Sequence, residues 1–195
     1  MYCKKRKNSF LVAIRYAFII FADILKTTMN YFRFLLKSTN QHGVHSPFVF
    51  NYLTKGIYQR KKYLNKRLGK TDLFLLKTLD YFQPSSICFL ENTDAVKKLV
   101  RDSDFNRAID KQQHLYDLVV ADAKSVTPEK LESFLCFFHN DSIGIIDKRN
   151  KDFCSTSLDT LLENHIGITL VLNFYWFSLI CIRKEQLKEN FFLRM

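Results

Sequence analysis

Three apolar runs, each followed by an acid, constrain this chain most. Ile87–Leu90 precedes Glu91, Leu115–Ala121 precedes Asp122, and Ser142–Ile146 precedes Asp147. The runs are apolar at consecutive positions and show no alternation, apart from Asp117 in the second and Ser142 at the head of the third. Such runs suit strands buried on both faces, the usual state of parallel strands covered by helices. Helix-type segments separate them. Thr93–Arg101 is one, and Thr127-Pro128-Glu129 opens another that runs to about Phe138, with Pro in the first turn. Ser157–Asn164 is a third. The chain then closes with Ile168–Tyr175 and Phe177–Arg183, two apolar runs separated by Trp176 alone. So short a link permits an antiparallel pair and no crossover. Phe191–Leu193 adds an edge strand. The expected class is α/β, with a sheet covered on both faces and a terminal antiparallel hairpin.

Helices precede this alternation. Asn30–Lys37 reads as a short amphipathic helix before the polar stretch Ser38–Gly43. Ser46-Pro47 starts a second, Ser as N-cap and Pro at the first helical position, continuing through Phe48 to Tyr58. Thr71 or Asp72 caps a third, which carries Leu73, Leu76, Leu79 and Phe82 at helical spacing and stops before Pro84. The organisation is thus an extension over 1–28, a helical region over 29–83 and an α/β core over 84–195.

Charge is uneven along the chain. Its 30 Lys/Arg and 19 acids give +11 overall, yet residues 1–70 hold 15 Lys/Arg and the single acid Asp23, for a net +14. Residues 71–195 hold 15 against 18, for a net −3. A basic N-terminal third suits an anionic partner, either nucleic acid or a membrane surface, or simply forms a solvated face. In the first case the contacts are Arg60, Lys61, Lys62, Lys66 and Arg67, interleaved with Tyr58 and Tyr63 for stacking. No named RNA- or DNA-binding motif accompanies them.

At the start, Lys4–Lys7 precede the apolar stretch Phe10–Leu25, which Arg15 and Asp23 interrupt. That stretch is shorter than the roughly 20 residues a spanning helix needs. It reads as an amphipathic helix packed on the domain or on a membrane surface, or as upstream read-through before a start at Met29. The five cysteines (Cys3, Cys88, Cys136, Cys154 and Cys181) are odd in number and form no C-x-x-C pair. With Cys88, Cys136 and Cys181 inside apolar runs, they read as small buried hydrophobes of a reducing, cytoplasmic compartment and not as a disulfide frame or zinc site.

Several stretches together resemble one family. Tyr31–Phe50, containing His42-Gly-Val-His-Ser-Pro-Phe48, is similar to the N-terminal helices of a group of bacterial class I S-adenosylmethionine-dependent methyltransferases. Phe74–Pro84 resembles the helix leading into their first strand. Tyr116-Asp-Leu-Val-Val-Ala-Asp-Ala-Lys124 resembles their fourth strand, Asp141-Ser-Ile-Gly-Ile-Ile-Asp147 their fifth, and Thr169–Arg194 their terminal hairpin. The likeness touches most of residues 29–195. It implies a Rossmann-like sheet whose last strand is inserted antiparallel, with S-adenosylmethionine as cofactor and methyl transfer as activity.

The departures from that family are equally specific. Its first strand leads into a glycine-rich turn, because the backbone there must approach the cofactor closely. Here the stretch reads Ser86-Ile-Cys-Phe-Leu-Glu-Asn-Thr-Asp-Ala95, without glycine, and none occurs from 70 to 143. The interval from Glu91 to Tyr116 is also too short for a βαβ unit, which takes about 30 residues. The expected fold is therefore a reduced methyltransferase sheet, missing at least one strand-helix unit. Glu91 ends either the first strand or the second, whose acid binds the cofactor's ribose. Asn92 or Asp94 supplies a left-handed turn in place of glycine.

Asp122 and Asp147 are the candidate catalytic pair, since each ends an apolar strand at the sheet edge where α/β folds bind ligands. In metal-dependent relatives a following Asn joins such acids. Here Lys148 follows Asp147, and its ammonium would repel a cation and pair with the carboxylates, so no metal site is expected. Glu91, Asn92, His42 and His45 are the cofactor-side candidates. His42 and His45 flank Gly43 in a turn that either is structural or closes over the cofactor. His114, His139 and His165 stand alone at element ends. The function expected is a methyltransferase-like protein without efficient methyl transfer; an active small-molecule methyltransferase with an unconventional cofactor site, or a nucleic-acid-binding module, are the alternatives. One consequence concerns the extension: a chain starting at Met29 is expected to fold and to melt at the temperature of the full chain, as scanning calorimetry checks. An insoluble product would place Phe10–Leu25 in the core.

Overall fold

Alternation along the central strands puts apolar side chains on both faces, so the sheet builds two cores instead of one. In the computed structural model, which describes residues 21, 28–59, 68–109, 113–149 and 155–194, the chain forms two compact units, 1–38 and 39–195. In the first unit residues 28–37 are helical. The second unit is mixed α/β with a six-stranded mixed sheet in the order β1-β2-β3-β5-β4-β6. The strands are β1 (Ile87–Phe89), β2 (Tyr116–Asp122), β3 (Phe138–Asp147), β4 (Leu170–Phe174), β5 (Phe177–Cys181) and β6 (Glu189–Phe192). β1, β2 and β3 pair parallel, while β5 lies antiparallel between β3 and β4. The interval from Glu91 to Tyr116, read as too short for a βαβ unit, does carry one: with the helix Asp94–Arg101 between them, β1 and β2 form a parallel crossover, because the roughly 30 residues of such a unit include its two strands. The terminal antiparallel hairpin is present. The final strand, placed at an edge as expected, pairs parallel with β4 and starts two residues earlier than the sequence suggests.

One face packs Leu118, Val120, Ile143, Ile145, Leu172 and Leu179 beneath α1 (Pro47–Asn51), the wide turn Tyr52–Ile57 and α2 (Lys70–Phe82), with α3 (Asp94–Arg101) contributing Val96 and Val100. The other packs Val119, Ala121, Ile146, Val171 and Ile180 beneath α4 (Pro128–Leu135) and α5 (Ser155–Asn164). Residues 39–83 therefore share a core with the sheet. On the first face Phe74 stacks on Phe177 at 5.1 Å and meets Phe174 at 4.8 Å, which fixes α2 over the hairpin. Gly144 is needed for the second face: a Cβ there would lie 2.6 Å from the Phe138 ring and 2.7 Å from Ile180.

Several local expectations change. The helix from Ser46-Pro47 is α-helical only to Asn51 and continues as a π-helix, with Tyr58 N–H donating to Leu53 O at 2.8 Å. The widened turn buries Tyr52, Leu53, Gly56 and Ile57 together and leaves Gly56 against Tyr81. Ser46 does not cap its helix with its hydroxyl, which instead accepts from Gln186 Nε2 at 3.2 Å. α2 starts at Lys70 with Gly69 as N-cap, so neither Thr71 nor Asp72 caps it. α4 ends at Leu135, and Phe138 already belongs to β3, because the chain turns back at Cys136 to pair with Tyr116. Cys136 is thereby exposed and not buried; Cys88 is half-buried and Cys181 buried. Cys3 and Cys154 lie outside the described residues, as does Phe10–Leu25 apart from the exposed Phe21. Among the described residues, no helix is long and apolar enough to cross a membrane.

The lower edge of β2 is held by a polar knot. Asp117 Oδ2 accepts from Ser85 N at 2.7 Å and from Ser85 Oγ at 2.6 Å, and Oδ1 meets His139 Nε2 at 3.0 Å. Asp141 N donates to His139 Nδ1, so a neutral His139 carries its proton on Nε2 and donates to Asp117. Burial alone would raise the Asp117 carboxyl; the hydrogen bonds from Ser85 and His139 outweigh it and hold the carboxyl below its ordinary value of 3.8. A depressed carboxylate contributes stability that is complete above its unfolded pKa and lost as pH falls through the folded one. Asp117→Asn is therefore expected to melt below the wild type at pH 6. That gap should shrink progressively below about pH 4, the unfolded carboxylate range, in thermal melts at stepped pH. A gap independent of pH would mean the knot holds by shape alone.

Candidate functional site

β2 and β3 end side by side. Their last residues, Asp122 and Asp147, are register partners. Parallel pairing and equal length past Leu118–Ile143 therefore bring the two predicted acids together at the carboxyl edge, on the face that carries α2. Each carboxylate is already engaged. Asp122 is buried, and its Oδ1 accepts from Lys124 N–H at 2.9 Å, capping the short turn Ala123–Ser125. Asp147 holds Arg149. The Arg149 Nε sits 3.0 Å from both carboxylate oxygens, Nη2 donates to Oδ2 at 2.7 Å, and the Arg149 backbone N–H donates to Oδ1 at 3.0 Å. The remaining arm, Nη1, reaches Asp72 Oδ1 at 3.1 Å in the first turn of α2. Phe177 lies under the guanidinium, its ring centre 5.2 Å away. Arg149 thus latches α2 to the end of β3 and occupies the space between them.

Lys148 pairs with neither Asp122 nor Asp147. Successive residues leave a strand on opposite faces, so Lys148 enters the core beneath α5. Its ammonium donates to Asp159 Oδ1 at 3.1 Å and to Asn173 Oδ1 at 3.2 Å. Asn173 Oδ1 also accepts from Ser178 Oγ at 2.6 Å. Burial pushes the Lys148 ammonium below its ordinary pKa, partly offset by Asp159 and Glu163. Two charges inside such a core hold only because each has partners. The site residues that sequence reasoning missed are Arg149, Asp72 in its role as an acceptor, and the set Asp159, Asn173 and Ser178. The run Asp147-Lys-Arg149 was their one sequence signal, since two cations after a strand-ending acid must diverge to the two faces.

The cofactor-side candidates separate. Glu91 is exposed, and its carboxylate lies 3.6 Å from Lys130 Nζ in a pair whose side chains are both more than half solvated. Asn92 takes the left-handed conformation, φ 61°, between β1 and α3, while Thr93 Oγ1 donates to Leu90 O at 2.6 Å. Asp94 opens α3 and is not the left-handed residue. His42 and His45 lie at the other side of the sheet. Their loop is tied to the β6 region at both ends, through the Thr39–Leu193 bridge and the Ser46–Gln186 bond. Sheet order puts β1 and β6 at opposite edges, five strand spacings or roughly 24 Å apart. A Cβ on Gly43 would meet Thr39 Oγ1, so the His42–His45 turn closes on itself, and His42 N–H donates to Asn40 Oδ1 at 3.0 Å. Two of the three isolated histidines have structural partners, His139 with Asp117 and His165 with Glu132 at 2.9 Å. Arg60, Lys61, Lys62, Lys66 and Arg67 lie outside the described residues. Among the described residues no three His, Cys, Asp or Glu side chains are placed to hold a metal ion.

Compared with known proteins, the chain matches no family model, no curated protein and no solved structure.

The two cations make a testable contrast. Removing one partner of a buried ion pair costs about 3–5 kcal/mol, whereas a partly exposed charged hydrogen-bond set is worth about 1.5–3 kcal/mol. Lys148→Ala is therefore expected to lower the melting midpoint more than Arg149→Ala. Arg149→Lys should behave like Arg149→Ala, because an ammonium cannot span both carboxylates in the guanidinium's fork. Thermal melts of the three variants check the order; Arg149→Ala as the most damaging would reverse it.

Proposed function

We propose that the chain is a shortened class I methyltransferase-like protein that keeps the scaffold and lacks efficient methyl transfer. The observation that carries this is the turn after β1. Where the resembling family needs glycine, Glu91-Asn92-Thr93 forms the turn, with Asn92 in the left-handed conformation. Asn is among the few non-glycine residues that adopt it readily, so the chain direction is kept while a side chain stands at the cofactor approach. The scaffold half of the reading is supported by β5, inserted antiparallel between β3 and β4, and by β2, the strand with the Tyr116-Asp-Leu-Val-Val-Ala-Asp motif, lying beside β1.

The residues present fit S-adenosylmethionine poorly. A family site meets the cofactor's ribose with an acid after the second strand. Among the described residues no strand pairs with the outer edge of β1, so only Glu91 is on hand, and it points to solvent beside Lys130. His42 and His45 sit at the far edge. Of the two candidate acids at the sheet's carboxyl edge, Asp147 is taken by Arg149 and Asp122 by the Lys124 N–H. Catalysis needs tighter placement than folding does, since an error of about 1 Å can cost roughly 100-fold.

With about half the usual contacts missing, binding should fall by several kcal/mol, and each 1.4 kcal/mol is tenfold. Titration calorimetry of the full chain with S-adenosylmethionine is expected to give a dissociation constant near millimolar or weaker. A value below about 50 μM would overturn the proposal and restore an active small-molecule methyltransferase.

A further inference from the structure

The segment between α3 and β2 carries a cavity of about 320 Å3 lined by Arg101, Asn106, Arg107 and Ile109. Its chemistry is one-sided. Two arginines and an asparagine line it together with one apolar residue, and among the described residues no carboxylate does. The cations described at the sheet end are paired, Arg149 with Asp147 and Asp72 and Lys148 with Asp159, and Arg183 beyond β5 pairs with Glu185. The side chains of Arg101 and Arg107 have no hydrogen-bond or ion-pair partner among the described residues.

The fold places both exposed arginines on this one space. Arg101 ends α3, where the helix dipole favours a cation. Arg107 has no such reason to be there; it stands in the short turn Asn106–Ala108. That turn is fixed. Ser103 Oγ donates to Val100 O at 2.6 Å and accepts from Phe105 N–H at 3.3 Å, and Ala108 N–H and Ile109 N–H close onto Phe105 O and Asn106 O at 3.0 and 3.2 Å. Val100 and Ala108 on either side are buried in the core.

We propose that this cavity is a binding site for a small phosphorylated molecule. Two guanidinium forks match the oxygens and the double negative charge of a phosphate monoester, which an arginine grips through two parallel hydrogen bonds. The Asn106 amide adds a further donor, and Ile109 gives the non-phosphate part an apolar wall. The volume lies at the low end of the roughly 300–1,000 Å3 of small-molecule sites, which suits a mononucleotide-sized ligand over a dinucleotide. The site is separate from the sheet-end crevice and does not depend on the methyltransferase-like reading.

Titration calorimetry of the full chain with inorganic pyrophosphate and with adenosine monophosphate, at fixed ionic strength, tests this. Both probes are expected to bind. Arg101→Ala/Arg107→Ala should weaken binding at least tenfold, and Asn106→Asp, which puts a carboxylate in the cavity, should do the same. Arg101→Lys/Arg107→Lys should not restore it, because the fork is lost. Lys55→Ala/Lys184→Ala removes the same charge from exposed positions elsewhere and should change affinity less than twofold. Absence of binding at millimolar probe, or an equal loss in the lysine control, would overturn the proposal. S-adenosylmethionine carries no phosphate, so its titration and this one fail independently.

Discussion

β2 and β3 run in register from Leu118–Ile143 to Asp122–Asp147, and apolar side chains seal them on both faces. That two-sided burial governs the rest of the molecule. Without water on either face, a polar side chain is tolerated only at a strand end or inside a satisfied network. The strand ends therefore collect Asp122, Asp147 and the turn after β1, while the polar residues inside, Asn173 and Ser178, exist only with Lys148 and Asp159. The helical layers follow too, because each face of the sheet needs an apolar cover of its own.

The same constraint explains how an edge suited to chemistry becomes a structural joint. Successive residues after a buried strand go to opposite faces, so Asp147, Lys148 and Arg149 diverge within three positions. Lys148 goes under α5 and ties it to β4; Arg149 turns back to Asp147 and ties it to α2. Each latch joins a helical layer to the sheet at the place where a ligand crevice would open. In the proposed reading, Asp147, placed where an acid would face a ligand, instead helps hold a helical layer to the sheet, and Asp122 caps a turn.

Much of the fold was legible in the sequence because burial leaves a periodic trace. The consecutive apolar runs announced parallel strands, and the short gap at Trp176 announced the antiparallel pair, which in the structure closes on two residues, Tyr175 and Trp176, because the first strand ends at Phe174. Pro84 and Pro128 marked element boundaries through their missing N–H groups. The left-handed turn at Asn92 was also foreseeable, because few side chains accept positive φ. The widened turn at Tyr52–Ile57 left no such trace: its burial of adjacent pairs reflects the fit of Gly56 against Tyr81, a contact across 25 positions.

The candidate site divides along the same line. The sequence alone determined which residues end strands, and hence that Asp122 and Asp147 belong at one edge, because strand periodicity is local. Only the tertiary structure decided what those residues touch. Asp72 reaches Arg149 across 77 positions, and Asn173 reaches Lys148 across 25, so neither partner could be read from spacing. Sheet order likewise put Glu91 and Asn92 at one edge and the His42–His45 turn at the other. The physical reason is that hydropathy fixes how each segment is buried, whereas partners across a fold are chosen by strand order, register and the packing of layers, none of which is encoded in any one stretch of chain.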